Sequence, residues 1–275
     1  MALSNFIKPI EKISKTPNYT LNDLVLDDYV IEQINICINK IKHHDKLYNK
    51  WELSKIDKKP NGVIINFYGM PGTGKTIAAE AMAHLFNKSI IEVNYFELFS
   101  ELMGKSSKNL HAFFKAAQEE NSLLFFDEAD SILSKRSNNS SSSDSDNNIT
   151  KSVMLRELDN FNGIVIFATN YFENYDNAFF RRILAHIEFK LPDIENRKKI
   201  LQYMLSEKIP GRNELDFNIL AGKSDELSGG EIKNSIVKTL AKISNLDLLT
   251  QKDLEDEFEN CKRSKAHNAV TEYIK

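Results

Sequence analysis

The chain has 275 residues, 41% of them hydrophobic, which is enough to bury a core without disulfides or structural metal and too apolar for a disordered chain. Its 36 Lys and Arg against 39 Asp and Glu leave a net charge of −3, a balance that opposes a dedicated nucleic-acid binder. The two cysteines, Cys37 and Cys261, have no paired spacing, so a disulfide framework or zinc module is excluded and a reducing, cytoplasmic setting is expected.

Residues 1–60 read as a polar helical extension, with Ile31, Ile34, Ile38 and Ile41 on one apolar face. Its first residues lack the uninterrupted apolar core of a signal peptide, and no later run reaches the roughly 18–20 apolar residues that span a bilayer. Lys58-Lys-Pro-Asn-Gly62 is a turn cluster that closes this region. Short apolar runs follow at Val63–Tyr68, Ser89–Val93, Leu123–Phe126, Ile164–Ala168 and Ile187–Leu191. Helical patterns separate the earlier ones, at Ile77, Ala81, Met82 and Leu85 and then at Leu110, Phe113, Phe114 and Ala117. Strands alternating with helices predict an α/β fold, a parallel sheet in the middle layer of a three-layer αβα core. Ser137–Asn148 is a Ser, Asn and Asp tract with no apolar residue, expected to be a mobile loop.

From about Pro192 the pattern becomes wholly helical. Ile200, Leu201, Met204 and Leu205 form one stripe, and Ile232, Ile236, Val237, Leu240 and Ile243 another. Ser228-Gly-Gly-Glu231 has the spacing of a capping box and marks a helix start. The predicted division is an extension at 1–60, an αβα core at 61–192 and a small all-helical lid domain at 193–275.

The chemistry concentrates in Gly69-Met-Pro-Gly-Thr-Gly-Lys-Thr76, which follows one predicted strand and opens a helix. Glycines let a backbone wrap closely and turn several N–H groups toward phosphate oxygens, and the helix N-terminus adds its dipole. This is the phosphate loop of a P-loop NTPase. Gly69, Pro71, Gly72, Thr73, Gly74, Lys75, Thr76 and Ile77 are expected to line the nucleotide, with Lys75 on the β- and γ-phosphates and Thr76 on Mg²⁺. The second run, Leu123-Leu-Phe-Phe-Asp-Glu-Ala-Asp130, delivers two carboxylates at a strand end. Asp127 is placed to hold Mg²⁺ through water, and Glu128 to polarise the water that attacks the γ-phosphorus.

Together with three later segments, these motifs resemble an AAA-type ATPase of the AAA+ superfamily, in the branch of katanin, spastin and the vacuolar-sorting disassembly ATPases. The resemblance extends over residues 20–265. It implies that Asn170, ending Ile164–Asn170, is a sensor for the γ-phosphate or attacking water. It implies that Arg181 and Arg182 are arginine fingers completing a neighbouring subunit's site, and hence a homo-oligomeric ring, a hexamer in this family. Gly229 and Gly230 correspond to the second-sensor segment, where small residues let the backbone lie close to the nucleotide. Leu102, Met103 and Gly104 correspond to the loop that grips a protein substrate, with Leu102 standing where an aromatic is expected. The alternative reading of Leu102 is a loop residue tucked onto the core.

The implied activity is Mg²⁺-dependent ATP hydrolysis in a ring that remodels, unfolds or disassembles a protein substrate, recruited by the ring itself, an adaptor or another partner. Two alternatives stay open: an AAA+ machine acting on nucleic acid or as a loader, which the charge opposes, and a nucleotide-dependent assembly switch that threads nothing, which Leu102 favours. The six histidines show no ligand spacing beyond one adjacent pair, and no HExxH protease motif is present.

Overall fold

The structure, a computed structural model, describes residues 13–57, 62–94, 106–135, 142–170, 175–244 and 248–273; for 142–147 and 268–273 it describes the backbone alone. Leu102, Met103 and Gly104 lie outside the described residues.

Five strands, β1 (Val63–Tyr68), β2 (Ile90–Val93), β3 (Leu123–Phe126), β4 (Ile164–Thr169) and β5 (Ala185–Glu188), form a parallel sheet in the order β2-β3-β4-β1-β5. The registers Tyr68↔Thr169 and Phe126↔Phe167 bring the carboxyl ends of β1, β4 and β3 side by side. All four residues of β3 and all six of β4 are buried. Both faces are therefore covered, which is why these runs read as continuous rather than alternating.

Helices α1 (Asp28–Lys42), α2 (Lys75–Leu85), α3 (Ser106–Glu119), α4 (Asp130–Leu133), α5 (Ser142–Asn160) and α6 (Asn177–Phe180) accompany the sheet. Ala78, Ala79, Ala81, Met82 and Ala83 of α2 are fully buried, and their small side chains let this helix sit close against its neighbours. Aromatic rings fill the space between β3, β4, α3 and α5: Phe126 stacks on Phe167 with centroids 5.3 Å apart, and Phe114 meets Phe161 edge-on at 5.3 Å. Outside β2, Lys15 exchanges both backbone hydrogen bonds with Ile90, each 2.9 Å long. Its ammonium reaches Glu92 at 2.5 Å and the buried Glu80 at 3.3 Å.

Three expectations are corrected. The buried face of α1 is Val30, Ile34, Cys37 and Ile38, while Ile31 is 44% exposed; an apolar residue next to a helical stripe is counted into it by periodicity alone. The last strand runs from Ala185 to Glu188 rather than from Ile187, because backbone pairing to Ile65–Tyr68 sets its limits, and the apolar residues after Glu188 lie beyond it. The backbone of α5 is already helical from Ser142, within the expected loop. Burial of Met154, Leu155 and Leu158 anchors its second half, and helix propagation adds one bond per residue from there.

By internal contacts the chain divides into two units, one of residues 1–24, 29–69 and 75–188, the other of 25–28, 70–74 and 189–275. The second holds α7 (Ile194–Met204), α8 (Phe217–Lys223), α9 (Gly229–Ile243) and α10 (Gln251–Tyr273). Their apolar faces close over Leu201, Leu205, Leu220, Leu227, Ile232, Leu254 and Phe258. Val237, on the expected stripe, is 57% exposed. The starts of α7, α8 and α9 carry side-chain caps: Asp193 accepts from Asn196 N at 2.7 Å, Asp216 from Asn218 N at 2.8 Å, and Ser228 with Glu231 makes the anticipated capping box.

Candidate functional site at the strand ends

Gly69, Gly72 and Gly74 have φ of +132°, +76° and +105°. That left-handed backbone gives the turn from β1 into α2 its tight course and is open to glycine alone at little strain. Lys75 opens α2 and is only 8% exposed. Its Nζ turns back to donate to Gly69 O at 2.5 Å and to Asn170 Oδ1 at 3.3 Å. Burial lowers its pKa, and Asp127 and Asp130 offset part of that. Thr76 and Ile77 follow half-buried in the first turn.

The neighbouring strand ends are laced to one another by their backbones. Gly69 N donates to Thr169 O at 3.2 Å, Asp127 N to Val93 O at 3.0 Å, and Ala129 N to Ala168 O at 2.9 Å. Asn170 N donates to Asp130 Oδ2 at 3.3 Å. Burial raises the Asp127 pKa, with Glu92 and Glu128 adding to the rise, while the hydrogen bond from Glu128 N and the Lys75 charge oppose it. Glu128 is exposed and holds φ +51°, with its N–H on Asp127 Oδ1 at 2.9 Å. A non-glycine residue in that region costs about 1–2 kcal/mol, and such strain collects where a side chain must be aimed. Lys75, Asp127, Asp130 and Asn170 thus share one polar cluster, with Glu128 at its rim.

The two arginines are not equivalent. Arg182 grips Asp159 through Nε at 2.9 Å and Nη2 at 2.8 Å, and its Nη1 donates to Ala178 O at 2.8 Å. Arg181 is exposed. In the second unit, Gly230 N donates to Gly72 O at 2.9 Å. A Cβ on Gly230 would stand 3.1 Å from Gly72 Cα, and one on Gly72 would stand 2.6 Å from Ser228 Oγ. Gly72→Ala combines that clash with a disfavoured φ, and should lower stability by about 1–3 kcal/mol, read as a drop in thermal midpoint; an unchanged midpoint would refute the close approach.

Residues 65–191 match the ATPase family associated with various cellular activities (AAA). They are an AAA ATPase domain. The chain is homologous to proteasomal regulatory ATPases. It is 30% identical over 273 residues to a probable 26S proteasome regulatory subunit 4 of Caenorhabditis elegans, covering 96% of this chain and 60% of that one. It is 34% identical over 230 residues to a 26S proteasome regulatory subunit 8 homolog of Arabidopsis thaliana, covering 81% and 53%. It is 33% identical over 225 residues to a putative 26S proteasome regulatory subunit homolog of Methanocaldococcus jannaschii, covering 79% and 58%. The chain therefore spans between half and three-fifths of these relatives' lengths.

The AAA domain's cluster fits a magnesium nucleotide. A buried ammonium at the opening of a helix suits phosphate anions. Among the described residues no group of three His, Cys, Asp or Glu could hold a metal by itself. Mg²⁺ takes oxygen ligands and is typically bound through one or two protein groups together with substrate phosphates and water, and Thr76 and Asp127 are oxygen donors of that kind. Asp130, to which the sequence motif assigns no role, accepts from the Asn170 backbone N–H. Among the described residues no helix is long and apolar enough to cross a membrane.

Proposed function

We propose that this AAA domain hydrolyses ATP with Mg²⁺, that copies assemble into a hexameric ring, and that the ring remodels or unfolds a protein substrate. The observation that carries the ATPase reading is the buried Lys75 ammonium, set between Gly69 O and Asn170 Oδ1 at the end of a positive-φ glycine loop. The proposed core is 61–192, with an extension at 1–60 and a helical lid at 193–275.

In this reading Gly69, Pro71, Gly72, Thr73, Gly74 and Ile77 shape the loop around the phosphates, and Lys75 holds the β- and γ-phosphates. Gly229 and Gly230 leave room beside the loop at Gly72. Thr76 and Asp127 would hold Mg²⁺, which supplies charge neutralisation at the phosphate oxygens. Glu128 takes a proton from the attacking water, while Asn170 orients that water or the γ-phosphate. Because Arg182 is tied to Asp159, Arg181 is the freer finger toward a neighbouring copy, and Arg182 braces the turn that presents it. The relatives' names, regulatory subunits of the 26S proteasome, support a partnered, protein-directed machine. The placement beside katanin and spastin rests on the motif spellings alone, and the substrate-gripping role of Leu102, Met103 and Gly104 on the resemblance.

Mixing two inactive variants tests the shared site. Arg181→Ala removes the finger but keeps its own pocket, and Glu128→Gln keeps the finger but cannot activate water. Each alone should turn over poorly, and the mixture should recover turnover wherever a sound pocket meets a sound finger. Full-speed hydrolysis by a chain that sediments as a monomer, or a mixture no faster than its parts, overturns the shared site.

A further inference from the structure

Behind the nucleotide-facing residues lies a polar chain in apolar surroundings. Asn66 sits in the middle of β1, fully buried between Ile65 and Phe67. Its Nδ2 donates to the Tyr175 hydroxyl at 3.2 Å, and that hydroxyl lies 2.5 Å from Thr169 Oγ1. Thr169 is 1% exposed and Tyr175 8%. The backbone fixes where the phenol can point: Tyr175 bridges Ser134, and the next residue's N–H, that of Asp176, donates to Leu133 O at 2.8 Å. Tyr175 thus reaches back from beyond β4 to the last residue of that strand, and the residue after it is Asn170.

The arrangement is costly as packing. An asparagine inside a parallel sheet needs all its hydrogen bonds, yet Asn66 Oδ1 has no partner among the described residues. Leucine and phenylalanine would fill similar space without that penalty. The Asn170 side chain, meanwhile, accepts from Lys75 Nζ on Oδ1 at 3.3 Å, and its backbone N–H donates to Asp130 Oδ2 at 3.3 Å, both at the long end of the useful range. A side-chain amide on so long a bond gains from a rigid strand end beneath it. Burial pushes the Tyr175 phenol up against the opposing pull of its hydrogen bonds to Thr169 and Asn66, and in the Tyr175–Thr169 pair either hydroxyl can be the donor.

We infer that Tyr175, braced by Asn66, is a positioning residue that sets the orientation of Asn170 through Thr169. This rests on the sensor reading of Asn170 and adds two residues to the reaction that touch neither nucleotide nor water.

Tyr175→Phe keeps the ring and removes the hydroxyl. The expected result is a fall in kcat for ATP of about 3- to 10-fold, the rate equivalent of one hydrogen bond, with KM within about twofold. In an Asn170→Ala background the same change should cost nothing further, since the group it positions is gone. The apolar double variant Asn66→Leu/Tyr175→Phe should melt no lower than wild type while its kcat stays reduced, a divergence that a purely structural role cannot produce. Unchanged kcat in Tyr175→Phe, or an equal loss with and without Asn170, overturns the inference. Controls separate its failure from that of the underlying reading: a wild-type chain without turnover sinks the ATPase, whereas a slow Asn170→Ala beside a normal Tyr175→Phe sinks only the positioning role.

Discussion

Lys75→Ala is expected to abolish the rise in thermal midpoint that Mg²⁺-ATP gives the wild-type chain. At a hundredfold excess over Kd a bound ligand adds about 2.7 kcal/mol, roughly 5–10 °C for a chain of this size. The expectation follows from where the charge sits. A lysine that is 8% exposed, with its pKa lowered by burial, is a cation already stripped of water, so a phosphate gains its attraction without a second desolvation step. The sign of the pH effect follows as well. Below the lowered pKa the ammonium is charged and the site is competent; as pH rises through that value the charge is lost, so ATP affinity should fall at a lower pH than for an ordinary lysine. The nucleotide-free variant should melt within a few degrees of wild type, because losing the bonds to Gly69 O and Asn170 Oδ1 is countered by releasing a buried charge. Calorimetry that finds wild-type ATP affinity in Lys75→Ala overturns the assignment.

Glu128→Gln should separate binding from chemistry. The substitution preserves shape, and the left-handed backbone at φ +51° imposes the same strain on both residues, so the fold is expected to be unaffected. What changes is the ability to accept a proton from water, a contribution typically of about 10²- to 10⁴-fold. ATP should remain on the variant through gel filtration while phosphate release falls by that factor. Because it binds without releasing, the same variant should hold any protein client long enough for affinity capture. Phosphate release at the wild-type rate would move the base to another residue.

The parts of this molecule that were legible in its sequence are those where chemistry demands particular atoms at particular spacing. A loop that must turn tightly uses glycine, and Gly69, Gly72 and Gly74 stand at positive φ as that demand requires. A strand buried on both faces needs an unbroken apolar run, so four of the five runs coincide with strands to within one residue. Contacts set by tertiary pairing were not legible. Nothing in the sequence distinguishes Arg181 from Arg182; the difference comes from Asp159, which lies 23 residues away from Arg182 and meets it only in the fold. Tyr175 is one more aromatic residue until the bridge to Ser134 aims it at Thr169. Asn66 did carry a signal, being a polar side chain in the centre of an apolar run, and the run's overall character masked it. Ile31 shows the converse, an apolar residue that periodicity enlists and the helix leaves 44% exposed.

The outer border of the sheet has its own consequence. Beyond β2 the free peptide groups of a strand would be a template for foreign chains, and a single antiparallel exchange between Lys15 and Ile90 occupies part of that border. Among the described residues the pairing is that one exchange, and its positive charge is neutralised by Glu80 and Glu92. A cut or fusion placed just after Lys15 would strip that pairing and leave the catalytic residues untouched, turning a question about activity into one about clumping.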